Sequence, residues 1–252
     1  MRSKGPLAWI RRTRFWTSVF RTGIPKDARE QHAVVLSNVF LHLHPTRVPQ
    51  ASIRFIRTFC LGGISLLLFC VLLVTGVLLM IYYRPTPGLA YTDIQELEAV
   101  VPFGQLLRNL HRWSGHAMVL AVIAHMARVF YAGAYRPPRE FNWVIGVFLL
   151  VLTLFLSFTG YLLPWDQLAY WAVTVGTNMA ASAPFIGHLG PFSVVDAGGD
   201  ARAILLGGEV VGADALIRFY VLHCVVIPVV MPLLMAIHFY RVRKDGGVLA
   251  RY

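Results

Sequence analysis

Residues 106–130 read LLRNLHRWSGHAMVLAVIAHMARVF. The run is apolar enough for the interior of a bilayer, yet it holds three histidines and has an arginine near each end. Imidazole in hydrocarbon is costly unless it is paired or ligating, so the placement of these three decides what the segment is for. At about 100° and about 1.5 Å per residue, His111 and His125 differ by about 40° in azimuth and about 21 Å in height. They share a helix face, one near each end of a membrane span. His116 lies about 140° from the first and about 180° from the second. It is therefore read as a packing or interhelix hydrogen-bonding residue.

The rest of the chain agrees with a membrane setting. Of its 252 residues 57% are hydrophobic and 14% charged, and its mean hydropathy of +0.61 is too high for a soluble domain of this length. Four stretches reach the roughly 20 apolar residues that a spanning helix needs: 59–83, 113–132, 141–163 and 216–239. The formal charge of +11 is unevenly placed: of 23 Lys and Arg, 11 lie in residues 1–57 and 18 in the two terminal segments, the 132–141 loop and neighbouring Arg128. That bias is the positive-inside signature, which predicts cytoplasmic N- and C-termini and a cytoplasmic 132–141 loop. No nucleic-acid-binding motif accompanies the basic tail, so nucleic acid is not an expected partner. Residues 9–21 (WIRRTRFWTSVFR) mix Trp and Phe with Arg, as an amphipathic helix lying on an anionic leaflet does. No small-residue cleavage site follows, which favours a retained surface helix over a removed leader. The expected organisation is a basic tail with a surface helix over 1–57, a four-helix bundle over 58–243 and a short tail over 244–252.

The last apolar stretch supplies partners for the first pair of histidines. His223 and His238 are fifteen apart, which is about 60° and about 22 Å on an α-helix, with Pro228 and Pro232 between them to kink the helix and alter its phase. Two helices thus offer histidines at two matched levels. Neutral imidazole is a good axial ligand for haem iron, and two facing pairs predict two haems, one above the other. A single intramembrane histidine is as well explained by a hydrogen bond to a neighbouring carbonyl; four at this double spacing are not. Gly62 and Gly76 in the first stretch and Gly146 and Gly160 in the third repeat the fourteen-residue interval. A missing side chain lets backbones approach a flat macrocycle closely. Arg108, Arg128 and Arg243 lie three to five residues from a histidine of this set and are suited to haem propionates. His32, His42, His44 and His188 are read as solvated or interfacial. Cys60, Cys70 and Cys224 show no CxxC or CxxCH spacing, so neither a disulfide frame nor two-thioether haem attachment is expected.

These residues carry a resemblance. The stretches CLGGIS (60–65), TGVLLMIYYRPTP (75–87), RNLHRWSGH (108–116), RPPREFNWVIGV (136–147), TGYLLPWDQLAYWAV (159–173) and RFYVLHCVVIP (218–228) resemble the cytochrome b family, and within it the short b6 type. The resemblance implies an all-α, four-transmembrane-helix dihaem bundle in a bacterial cytoplasmic or thylakoid-like membrane. His111 and His223 would ligate the haem b nearer the outer face, and His125 and His238 the one nearer the cytoplasm. It implies that Cys60 holds an additional haem c through one thioether, with Cys70 and Cys224 left to packing. It places Tyr161, Ala172 and Val175 in an outer quinol pocket, with Phe158 and Leu168 as neighbours and the 164–215 connection forming a roof of short helices. The PEWY motif of longer family members is absent, so a separate PEWY-bearing chain like subunit IV is expected to complete that pocket. A Rieske iron–sulfur protein, a c-type cytochrome or equivalent acceptor, and a homodimeric assembly follow from the same likeness.

The implied activity is that of a quinol-oxidising subunit in a proton-translocating Q cycle. Quinol is oxidised near the outer face, one electron leaves to the iron–sulfur protein, and the other crosses the bilayer to a quinone-reduction site near the cytoplasm. A dihaem membrane anchor joining quinone to a peripheral dehydrogenase is the alternative, although it accounts for neither LPWDQ nor the glycine pairs. A haem-free transporter or structural subunit is a further rival, which a reduced absorption spectrum tests directly.

Overall fold

The computed structural model of the chain describes residues 27–37, 55–187 and 200–244. The surface helix expected at 9–21, and His42, His44 and His188, lie outside these residues. The chain divides into two compact units, 1–50 and 51–252. In the first, α1 (Ala28–Ser37) starts where Asp27 accepts the Glu30 amide at 2.8 Å, an N-cap that satisfies an otherwise orphaned donor. His32 stands exposed on it, as expected.

The second unit contains α2 (Phe55–Thr58), α3 (Leu61–Met80), α4 (Ala90–Ala99), α5 (Gly104–Tyr131), α6 (Glu140–Leu162), α7 (Gln167–Ser182), α8 (Ala201–Leu206), α9 (Ala213–Val221), a π turn (Leu222–Val226) and α10 (Ile227–Lys244). Every regular element among the described residues is helical. Helices α3, α5 and α6 are each long and apolar enough to cross a membrane, and so is the continuous rod Ala213–Arg243. Leu67, Val74, Leu120 and Phe148 are exposed on these rods. Such surface suits lipid, which is as apolar as leucine. The few hydroxyls inside the spans fold back on their own helix: Ser65, Thr75, Thr153, Ser157 and Thr159 each donate to the carbonyl four residues earlier. In a solvent without hydrogen-bonding partners this satisfies them at little cost.

Two apolar clusters hold the bundle together. Phe69, Met118, Val122, Ile227 and Met231 meet at mid-height. At one end, Leu162, Ala169, Val173, Leu206, Leu216 and Phe219 bind α7 and α8 over the ends of α6 and α9, so the 164–215 connection does form short capping helices where it is described. Asp166 and Asp200 cap α7 and α8 by accepting the Ala169 and Ala203 amides, each at 2.7 Å. Helix α4 lies so close on α5 that a Cβ on Gly104 would overlap the Leu97 carbonyl. Beside it Asp93 is buried, 3% exposed, and paired with Arg84 at 2.5 Å. The Arg84 side-chain hydrogen bonds hold the Asp93 carboxyl below the usual carboxylate range against the opposing effect of burial.

The fourth span departs from the expected kinked α-helix. Its irregularity is the π turn at 222–226, immediately before Pro228. Pro228 has no amide to give the carbonyl four residues back, that of Cys224. A π turn, bonded i to i+5, accommodates one residue more than an α turn.

Candidate functional site

The four histidines of the two levels come together in pairs. His111 of α5 faces His223 with ring centroids 6.2 Å apart, and His125 faces His238 with centroids 6.5 Å apart. The donor set can be tested against a bis-imidazole metal centre. With metal–nitrogen bonds of about 2 Å and roughly 1.1 Å from ring centre to nitrogen, two imidazoles holding one metal between them would place their ring centroids about 6 Å apart. Both pairs fit that requirement.

The π turn explains how a fifteen-residue interval on one helix matches a fourteen-residue interval on the other. His223 lies within the turn. Because the turn takes up one extra residue, the rotation from His223 to His238 is about that of fourteen α-helical residues, the interval between His111 and His125. The sequence reading assigned this phase change to the prolines alone, and no periodicity in the sequence marks a π turn.

Each of the four glycines stands against a different histidine. An added Cβ would come 3.4 Å from His125 Cε1 at Gly62, 3.2 Å from His111 Cε1 at Gly76, 3.8 Å from His238 Cε1 at Gly146 and 2.5 Å from His223 Cε1 at Gly160. Gly76 and Gly160 thus make room for an imidazole ring, whereas a Cβ at Gly62 or Gly146 would meet its histidine at ordinary contact distance.

Sequence reasoning missed two neighbours of these glycines. Thr75 Oγ1 lies 2.8 Å from His111 Nδ1, and Thr159 Oγ1 lies 3.3 Å from His223 Nδ1, which also faces the Leu156 carbonyl at 3.1 Å. The Thr-Gly dipeptides 75–76 and 159–160 carry this signal. The dipeptides at the other level are Leu61-Gly62 and Ile145-Gly146, which carry no hydroxyl. That level borders a cavity of about 50 Å³ lined by His125, Met126, Arg139, Asn142, Trp143 and His238 among others. Arg139 and Asn142 were also missed, because they belong to the loop and start of α6 and only the tertiary fold brings them to the histidines.

The other expected site residues scatter more. Arg108 is ion-paired with Glu98 of α4, a partner that sequence spacing did not show, while Arg128 and Arg243 are half-buried on α5 and α10. Cys60 caps α3 in a left-handed conformation, φ 52°, two residues before Gly62 and therefore at the His125 level. Its thiol is exposed. Cys70 is exposed on α3, and Cys224 is half-buried in the π turn. His116 is exposed, and its ring meets Trp113 of the same helix at 5.6 Å. It packs along its own helix.

The five residues expected around quinol do not line one cavity. Phe158 is half-buried against Phe219, at 5.6 Å, and so close to Gly176 that a Cβ there would fall 2.7 Å from its ring. Tyr161, Leu168, Ala172 and Val175 are exposed on α6 and α7. Val175 alone of the five borders the open concavity of about 480 Å³ formed with Asn178, Met179, Ser182 and Ala183. The resemblance implies a shared quinol-lining role for the five; four are exposed and the Phe158 ring is turned inward where α6 crosses α7.

Four membrane-length helices that bring histidines into pairs at two heights define a class: an integral membrane helical bundle with paired imidazoles inside it. The sequence profile described as "Cytochrome b/b6/petB" matches residues 48–246. Cytochrome b6 of Heliomicrobium gestii is 45% identical over 188 residues, covering 75% of this chain and 83% of that protein. Cytochrome b6 of Synechococcus sp. (strain CC9902) is 43% identical over the same length, covering 75% of this chain and 81% of that protein. A chain of the solved "Hyperthermophilic respiratory Complex III" superposes with a TM-score of 0.69 at 27% identity, covering 94% of this chain and 55% of that one. The chain belongs to the cytochrome b family. The family implies haem b and a b6-like role in a complex of the bc or b6f type.

Proposed function

We propose that this chain is the electron-carrying core of a quinol-oxidising complex working by a Q cycle, with His111 and His223 ligating one haem b and His125 and His238 the other. The observation that carries the reading is the pairing of four intramembrane imidazoles at two heights, with ring centroids 6.2 Å and 6.5 Å apart. Bound haem supplies reversible one-electron chemistry. The chain's own residues supply position. The rods keep water from the two levels, the glycines make space, and arginines at the rims meet anionic propionates. Arg128 and Arg243 serve the His125 level together with Arg139 and Asn142. Arg108 serves the His111 level once it is released from, or shared with, Glu98.

The orientation follows from charge: the termini and the 132–141 loop face the cytoplasm, which sets the His111 level on the outer side. Quinol is oxidised there beneath α7, where Val175 opens to the concavity and Tyr161, Leu168 and Ala172 present apolar surface. A PEWY-bearing chain completes that pocket, a Rieske protein takes one electron and passes it to a c-type cytochrome or its equivalent, and quinone is reduced on the cytoplasmic side. Cys60, exposed at the cytoplasmic end of α3, holds an additional haem c by one thioether. The assembly is a homodimer, and the residues divide into a basic tail (1–57), the haem-bearing bundle (58–243) and a short C-terminal tail (244–252).

The test is a haem inventory of the purified complex. Two extractable b haems and one acid–acetone-resistant haem per chain are expected, with one b haem lost on replacing any of the four histidines by leucine. A His111→Leu protein with its full pigment would overturn the ligand assignment.

A further inference from the structure

At the His111 level, the Nδ1 nitrogens of both imidazoles meet hydroxyl groups. Thr75 is 4% exposed and Thr159 is 0% exposed. The Thr75 hydroxyl donates its single proton to the Val71 carbonyl at 2.7 Å, with a second acceptor, Leu72, at 3.3 Å. Its oxygen can then only accept, so the 2.8 Å contact with His111 places the proton on His111 Nδ1. Thr159 repeats the arrangement, donating to Phe155 at 3.0 Å and lying 3.3 Å from His223 Nδ1. The Leu156 carbonyl, 3.1 Å from the same nitrogen, can only accept and fixes the proton there independently. In both rings the lone pair is left on Nε2, free to ligate. At the other level the residues preceding the glycines are Leu61 and Ile145, which carry no hydroxyl.

Resting on the ligand assignment above, we propose that Thr75 and Thr159 are positioning residues that lock His111 and His223 in the ligating tautomer and lower the reduction potential of the centre those histidines hold. The physical basis is general: an outer hydrogen bond from a ligating imidazole raises its basicity and so favours the oxidised metal. The two levels therefore differ in the threonine hydroxyls behind their histidines, although all four are the same residue type.

The experiment uses the whole complex carrying Thr75→Val or Thr159→Val, near-isosteric changes that remove the hydroxyl, and titrates the b-type absorbance against potential. One of two b transitions is expected to move to higher potential while the other stays in place. The shift should be larger for Thr75→Val, whose contact is shorter. Thr75→Ser and Thr159→Ser should restore the parental value. Two transitions at parental potentials in both valine proteins, or equal movement of both transitions, would overturn the proposal. Should a valine protein lose a haem, the serine protein decides: a parental midpoint supports the proposal, and the same loss overturns it. Failure of the underlying assignment looks different, because a His111→Leu or His223→Leu complex would then keep both b haems whatever the threonines do.

Discussion

Replacing Gly160 with alanine puts one methyl group into the tightest contact at the site. The new Cβ would fall 2.5 Å from Cε1 of His223, 3.0 Å from Nδ1 and 3.1 Å from Nε2. Ordinary carbon contacts need about 3.5 Å or more, so the ring must retreat by roughly 1 Å. It is not free to do so, because Nδ1 is held by Thr159 and the Leu156 carbonyl. Overpacking of this kind costs about 1–3 kcal/mol, and a broken hydrogen bond adds about 1 kcal/mol. Since about 1.4 kcal/mol is a factor of ten, haem affinity at the His223 level should fall roughly ten- to a thousandfold. Gly146→Ala is the matched control. Its Cβ would lie 3.8 Å from His238 and 3.5 Å from Met126, which is ordinary contact, and alanine is the better helix former by about 1 kcal/mol. Haem b per chain and thermal stability, measured on both variants in the assembled complex, give the comparison. Equal haem content and equal melting temperature would refute the claim that Gly160 exists to make room for His223.

Other expectations follow from the same geometry. Gly76→Ala, with a 3.2 Å approach to His111, should fall between the two variants above, as haem content per chain will show. His116→Ala should leave both b-type transitions and haem content unchanged, because its ring is exposed beside Trp113; loss of a haem would contradict its exclusion from the site. Cys60→Ser should remove the extraction-resistant haem and spare both b haems, as read by pyridine haemochrome spectra before and after acid–acetone treatment. Asp93 gives a pH dependence. Its carboxyl is held below its ordinary value of 3.8 mainly by the Arg84 side chain, so folding favours the ionised form. That contribution is complete above about pH 4 and is lost as pH falls through the lower folded value. Asp93→Asn should lower the melting temperature at neutral pH and abolish this part of the acid-dependent loss; identical acid profiles for the two proteins would contradict the pairing.

Much of the fold was legible because helical periodicity is a property of the local chain. The apolar lengths gave four spans, and the intervals of His111 with His125 and of Gly62 with Gly76 gave faces and heights. The exclusion of His116 followed from its azimuth alone. The Arg108–Glu98 pair, the inward turn of Phe158 and the approach of Arg139 and Asn142 to the histidines were not legible, because each depends on how two segments cross.

The sequence by itself determined that this chain is a membrane bundle with imidazoles at two heights: hydrophobic length and a 3.6-residue repeat need no knowledge of neighbours. Tertiary structure decided which glycine faces which histidine, that a π turn brings a fifteen-residue interval into step with a fourteen-residue one, and that the Thr75 and Thr159 hydroxyls stand behind His111 and His223. Those are matters of the rotation and separation of rods against one another, which close packing of all their side chains sets together and no single helix carries in its own pattern.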